Sequence, residues 1–273
     1  MTINRREFIK VAGAGAATLA LAGCASMNGL GKSRVVVIGG GYGGATAAKY
    51  LKLWGGDIDV VMVERNAQFI SCPLSNLVIG GSRNMADLTR GYEGLTKAGV
   101  KVVQDEVTGI DPAKRVVTLA KGSALTYDRL IVSPGVDFMY ETIPGLNNAA
   151  SQEKVLHAWK AGAQTVALRK QLEAMSDGGV YAIHIPKAPY RCPPGPYERA
   201  CQVASYFKQA KPKSKVLILD ANEDIVSKKG LFTKAWKDLY GDMIEYRNNS
   251  ELVDVDVATN TAKLAFGDVK ADV

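Results

Sequence analysis

Apolar and polar positions follow two different periods along this chain, and the places where the period changes mark its elements. Residues 33–54, SRVVVIGGGYGGATAAKYLKLW, begin with the unbroken apolar run Val35–Ile38, pass through a cluster of glycines, and continue with apolar residues at helical spacing. This predicts strand, turn and helix. Residues 57–65, DIDVVMVER, predict a second strand and complete a βαβ unit. From residue 100 to 119, VKVVQDEVTGIDPAKRVVTL breaks into short alternating segments, which predict a small sheet inserted after that unit. YDRLIVSPGV, residues 127–136, predicts a strand returning to the first domain.

The second half repeats the order of the first. Residues 157–175, HAWKAGAQTVALRKQLEAM, carry apolar positions at helical spacing and are closed by Gly178 and Gly179, so a helix is expected across them. VYAIHI at 180–185 predicts a strand, YERACQVASYFKQAK at 197–211 a helix, and KVLILD at 215–220 a strand that ends on Asp220. The last nine residues, AFGDVKADV, predict a strand directed back to the first domain. The expected fold class is therefore α/β, with two Rossmann-like dinucleotide-binding βαβ domains: an address segment and linker at 1–30, a first domain at 31–150 and a second at 151–273.

Composition adds three points. At 273 residues and 47% apolar, the chain can bury two ordinary cores. The formal net charge is +7, and removal of the leading segment with Arg5, Arg6, Lys10 and Glu7 leaves about +5. Lys208, Lys211, Lys213 and Lys215 read as a solvated helix end that also suits an acidic partner, and no aromatic-interleaved basic stripe points to nucleic acid. The leading residues NRREFIK, then VAGAGAATLALAGCAS, hold a twin-arginine pair and a weakly hydrophobic Ala/Gly stretch. That pattern is expected of an export signal that delivers a folded protein to the periplasm. Val11–Ala22 is too short to span a bilayer, and LAGC ending at Cys24 also resembles a lipoprotein site, which would tie the chain to a membrane through a lipid on Cys24.

The candidate chemistry lies in two loops. Gly39, Gly41 and Gly44 fit G-x-G-x-x-G directly after a strand: the first permits the turn, the second admits a pyrophosphate, and the third lets helix pack on strand. Glu64 ends the next strand, where a carboxylate meets a ribose hydroxyl. The equivalent loop of the second domain is instead PYRCPPGPYERAC, residues 189–201, in which Pro193, Pro194 and Pro196 remove the N–H donors that a phosphate needs. Nicotinamide binding, NAD(P), is disfavoured there. Without Cys24, three cysteines stand outside the leader: Cys72, Cys192 and Cys201, the last at helical spacing that suits a small packed side chain. His157 and His184 lack metal-ligand spacing and, like Trp159, read as structural, and no C-x-x-C-H is present to attach a haem.

Taken together, VVVIGGGYGGATAAKYLK, CPLSNLVIGG, YDRLIVSPGV, HAWKAGAQT, RCPPGPYERA and KVLILD make the chain resemble the flavoprotein subunit of flavocytochrome c sulfide dehydrogenase, a relative of sulfide:quinone oxidoreductase. The resemblance implies FAD held by Gly39, Gly40, Gly41, Gly43, Gly44, Glu64 and Arg65, with the backbone of Val107 near the adenine and the turn containing Pro134 and Gly135 beside the cofactor. It implies a thioether from Cys72 to the flavin, Cys192 as one half of a redox-active disulfide, and Glu198 as a carboxylate that moves protons; Glu198 also suits the helix dipole alone. It further implies sulfide as substrate, a separate c-type cytochrome subunit as electron acceptor, and a C-terminal part beyond this chain that carries the second cysteine. Two alternatives remain at this stage: a sulfide:quinone oxidoreductase-like or thiol-reducing flavoprotein, and a flavin-free exported partner protein.

Overall fold

The computed structural model describes residues 32–273. The twin-arginine pair and Cys24 lie outside the described residues. The chain divides into two compact units, one ending at Ala67 and resuming over Gly91–Val136, the other made of Gln68–Arg90 and Asp137–Val273.

The first unit is built on a parallel sheet. Its four strands lie in the order Lys101–Gln104, Asp59–Glu64, Arg34–Ile38 and Arg129–Val132. A parallel sheet is covered on both faces, which is why its strands are unbroken apolar runs. Val35, Val37, Val60 and Met62 pack to one side with Ala48 of the Tyr42–Trp54 helix, while Val36, Ile38, Val61 and Val63 pack to the other with Val117 and Leu119. Val117 and Leu119 belong to the inserted antiparallel sheet, formed by Val107–Asp111, Val116–Leu119 and Leu125–Thr126. Lys101–Gln104 departs from expectation. It is an edge strand of the parallel sheet and not part of the insert, because Val102 and Val103 feed opposite cores. At the sheet's other end Asp59 ties two neighbouring strands together, 2.8 Å from both Arg34 and Lys101, whose hydrogen bonds hold its carboxyl below the ordinary range.

The second unit repeats the theme with three parallel strands, Val180–Ile185, Lys215–Asp220 and Ile244–Arg247, the middle one central. Tyr181, Ile183 and Ile185 alternate onto one face, against Tyr197, Ala200, Val203, Ala204 and Phe207 of the Gly195–Ala210 helix. Those helix positions recur every three or four residues and form one apolar stripe. Leu252–Asp256, Thr261–Leu264 and Gly267–Lys270 form a separate antiparallel sheet.

Three expectations are revised here. The helix expected from residue 157 begins at Ala163, where Thr165 Oγ1 accepts the Gly162 N–H at 3.1 Å; His157 instead donates its backbone N–H to Gln164 Oε1, outside any helix. The terminal strand does not return to the first domain: Gly267–Lys270 pairs with Thr261–Leu264, and Asp272 and Val273 bond Val180 and Ala182 in the second unit. The contact boundary falls after Val136, not after residue 150, and residues 68–90 group with the second unit. The reason is side-chain packing: the Ser75–Gly80 helix is bonded to two helices of that unit, through Arg169 Nη1 on the Ile79 carbonyl and through Asn76 on Gly195, Glu198 and Arg199.

Candidate functional site

In the first unit, the expected glycines, Glu64, Arg65, Pro134 and Gly135 lie at or just past the carboxyl ends of strands of the parallel sheet, and Val107 opens the inserted sheet. The chain runs outward from Arg34–Ile38 to one side through Asp59–Glu64 and returns on the other side as Arg129–Val132, so the strand order reverses beside the glycine turn. That is where open α/β sheets bind ligands. Gly39 has φ +98°, and a Cβ there would overlap the Ser133 carbonyl; one on Gly44 would overlap the carbonyl of Gly39 itself. Ser133 Oγ lies 2.5 Å from the β position of Gly43, and the Tyr92 hydroxyl 2.6 Å from that of Gly40. Gly39 and Gly43 therefore let the return turn Ser133–Pro134–Gly135 close onto the glycine turn, and Gly44 lets the helix start close on Gly39. Gly135, at φ +84°, faces open space.

Gly41 caps the Tyr42–Trp54 helix without a side-chain hydrogen bond, and no acid stands in the first turn. The aligned peptides of the helix favour an anion at this end. Glu64 does more than expected: Oε2 accepts the Gly40 N–H at 2.7 Å, and Oε1 accepts the backbone and side-chain N–H of Asn66 at 2.8 and 2.7 Å. A carboxylate has about four acceptor positions, so one remains for a ribose hydroxyl. Arg65 lies 3.8 Å from Glu106, next to Val107, which pairs with Leu119 on the inserted sheet. The residues fit the adenine and pyrophosphate half of FAD. Sequence reading missed Tyr92, whose hydroxyl is pushed up to about 12 by burial and by the Glu64 charge; nothing near it in the sequence marks it.

The second unit contains all three cysteines of the described residues. Cys72, Cys192 and Cys201 are all free thiols. Cys72 is half-buried and donates to the Trp159 carbonyl at 3.0 Å. Cys192 is exposed and holds φ +57°, a left-handed conformation uncommon for a residue with a side chain. Its carbonyl accepts the Gly195 N–H at 2.9 Å, and its Sγ stands 3.2 Å from the β position of Gly195, so a larger residue there would push the sulfur away from the helix start. Cys201 packs against the core, where burial pushes its thiol up.

One buried amide organises this site. Asn76 donates Nδ2 to the Gly195 carbonyl at 3.1 Å and to Glu198 Oε2 at 3.3 Å, and accepts Arg199 Nε on Oδ1 at 3.1 Å. Arg199 also donates to the Ala158 carbonyl and lies over the ring of Trp159. Trp159, expected as packing, meets Tyr190 edge-on at 5.6 Å while its carbonyl receives Cys72. Asn76 and Arg199 were not singled out in the sequence. The signal for Arg199 was its place beside Glu198 in PYERA; for Asn76 it was an amide directly before the apolar run LVI in SNLVIG.

The nucleotide position of the second unit is differently furnished. Asp220, the counterpart of Glu64, is fully buried and accepts Tyr197 Oη at 2.6 Å, Tyr246 Oη at 3.1 Å and two N–H groups of Asn222. Beside it an open cleft of about 410 Å³ includes Lys187, Glu223 and Asp224 in its lining. The ring nitrogens His157 Nδ1 and His184 Nε2 are buried without hydrogen-bond partners, and burial lowers both imidazoles to about 4. Among the described residues there is no cluster of three or more His, Cys, Asp or Glu able to hold a metal, and no helix long and apolar enough to cross a membrane.

Fold and turn thus define a dinucleotide-binding α/β protein whose second unit carries a cysteine-containing loop in place of a glycine turn. The model of the pyridine nucleotide-disulphide oxidoreductases matches residues 33–177, more than half of the chain, and the chain belongs to that family. Residues 165–273 match the central part of the sulfide dehydrogenase [flavocytochrome c] flavoprotein chain. Among curated relatives, mitochondrial sulfide:quinone oxidoreductase of Mus musculus is 26% identical over 67% of this chain and 41% of its own length. The flavocytochrome c sulfide dehydrogenase flavoprotein chain of Chlorobaculum thiosulfatiphilum is 52% identical over 48 residues, 18% of this chain and all of that sequence. The solved sulfide:quinone oxidoreductase of Aquifex aeolicus superposes with a TM-score of 0.73 at 19% identity, over 88% of this chain and 57% of that one, a likeness of fold. The chain spans about two fifths of the length of the sulfide:quinone oxidoreductases it matches in sequence.

Proposed function

We propose that this chain is the flavoprotein part of a sulfide-oxidising oxidoreductase of the flavocytochrome c type, exported by the twin-arginine route and working with a c-type cytochrome. The observation that carries the reading is the gathering of Cys72, Cys192, Glu198, Asn76 and Arg199 around the start of the Gly195–Ala210 helix, in a second unit whose loop has given up phosphate donors for prolines. The engagement of Asp220 by Tyr197 and Tyr246, and the carboxylates lining the cleft beside it, support hydrosulfide rather than NAD(P)H as the electron donor.

FAD, when bound, supplies the two-electron acceptor. The glycine turn, Gly39 to Gly44, and Glu64 would hold its adenine side, and Cys72 would be the residue that carries its thioether. Cys192 is one half of a redox-active disulfide. Hydrosulfide attacking that bond forms one S–S bond and breaks another, leaving a persulfide on one cysteine and a thiolate on the other. Overall HS⁻ gives up two electrons and a proton to become zero-valent sulfur. Glu198, held by Asn76, receives the proton, and the electrons leave one at a time to the cytochrome.

Intact mass and a visible spectrum, taken on protein exported from its host and denatured in acid, test this. The expected result is a mass increase of one FAD with yellow colour that survives denaturation, both lost in Cys72→Ala. A colourless chain at its unmodified mature mass contradicts the reading. Reduction of cytochrome c rather than a quinone by sulfide then separates this assignment from a sulfide:quinone oxidoreductase.

A further inference from the structure

Beside Cys192 the second unit buries a cation that no described carboxylate pairs. Arg199 is 6% exposed. Its partners are neutral: Nε donates to Asn76 Oδ1 at 3.1 Å, Nη2 to the Ala158 carbonyl at 2.9 Å, and the Trp159 ring lies 5.8 Å from the guanidinium carbon. Among the described residues no carboxylate stands within ion-pair distance of it. Glu198, its neighbour in sequence, is turned to Asn76 Nδ2, so the amide separates the two charges. Proteins seldom bury an unpaired ion, since the lost hydration is not returned by neutral partners. A guanidinium kept in this way needs an anion supplied by the working site.

The geometry says which anion. Gly195 and Arg199 are four residues apart on one helix and share a face, and helical side chains lean toward the N-terminus. The Cys192 sulfur stands over Gly195, 3.2 Å from its β position. Arg199 therefore extends back along the face on which Cys192 sits. On the other side, Cys72 Sγ and Arg199 Nη2 bond the consecutive carbonyls of Trp159 and Ala158. Burial pulls the guanidinium below its ordinary value, while Tyr181, Cys72, Cys192 and Glu198 each favour its charged form.

We infer that Arg199 is the resident counter-charge for anionic sulfur at this site, so that it favours an anionic sulfur nucleophile such as hydrosulfide over a neutral thiol and stabilises the thiolate that the reaction releases. The inference deepens the sulfur chemistry proposed for Cys192 and rests on it for its role in turnover, but the charge itself is measurable without turnover.

The reduced full chain is reacted with two methanethiosulfonate reagents of similar size, the anionic sulfonatoethyl and the cationic trimethylammonioethyl forms, and modification of Cys192 is followed by peptide mass. The expected result is a rate ratio favouring the anionic reagent relative to a model cysteine peptide. Arg199→Gln should lower that ratio at least tenfold, a lower bound for removing one charge at several ångströms in a medium of effective dielectric about 20. Arg199→Lys should keep most of it, and Glu198→Gln should raise it. Arg191, exposed and adjacent in sequence, is screened by solvent, so Arg191→Gln should change the ratio less than Arg199→Gln. An unchanged ratio in folded Arg199→Gln, or a ratio governed by Arg191, overturns the inference. If Arg199→Gln does not fold, Glu198→Gln decides: a raised ratio supports the assignment and an unchanged one overturns it. A ratio that tracks Arg199 in a protein that does not oxidise sulfide would retain the charge assignment and remove the proposed function.

Discussion

At the scale of single residues, the first unit depends on glycines for contact rather than for flexibility. Gly44 lies in a helix and its φ is ordinary, yet a methyl group there would overlap the Gly39 carbonyl. Gly44→Ala is therefore expected to push the helix start away from the first strand and to lower FAD affinity at least tenfold, with a loss of about 1–3 kcal/mol in stability. Flavin titration followed by thermal unfolding measures both; unchanged affinity would show that the close approach does not form the cofactor site. The glycine pattern was readable because spacing alone encodes it. Tyr92 was not, since its role comes from a hydroxyl brought 2.6 Å from the β position of Gly40 across 52 residues of chain. Asn76 and Arg199 were hidden for the same reason: their bond joins residues 123 apart.

At the scale of elements, the Val180–Ile185 strand combines a buried face with a polar residue that has no proton partner. Tyr181, Ile183 and Ile185 meet the core, while His184 buries Nε2 unbonded and is held at about 4 by burial against an ordinary 6.5. The folded state therefore binds fewer protons than the unfolded state between those values. Stability rises with pH through that window and is lost as pH falls from 6.5 toward 4, by up to about 3 kcal/mol from this residue. Denaturant unfolding of His184→Leu across that range should show a shallower pH dependence than wild type. An identical slope would mean that the imidazole is hydrated in the folded protein. His157 is lowered to about 4 as well and contributes to the same window, so the slope should decrease rather than vanish. The strand itself was legible as VYAIHI, whereas the helix expected from 157 was not placed correctly. Apolar spacing extends through residues 157–162, but the bonds of Gly162 and His157 to Thr165 and Gln164 start the helix at Ala163.

At the scale of the whole molecule, the repeated strand, loop, helix and strand order was visible in the sequence, because each half carries its own apolar runs and its own loop chemistry. The allocation of residues 68–90 to the second unit was not visible. Short segments such as Phe69–Ile70 and Ser75–Gly80 have little periodicity, and what fixes them is packing against helices far along the chain. That allocation places Cys72 and Cys192 in the same unit, with Asn76 bonded to Glu198 and Arg199, for which the proton-accepting and counter-charge roles are proposed. The central claim is that sulfur, not a nicotinamide, feeds electrons to a flavin on this chain. Its most direct test is an anaerobic titration of the flavin-loaded protein, first with sulfide and separately with NADH and NADPH, while the flavin absorbance is followed. Bleaching by sulfide at stoichiometric amounts, restored by oxidised cytochrome c, is expected, and none by either nicotinamide. Bleaching by a nicotinamide with indifference to sulfide would contradict it.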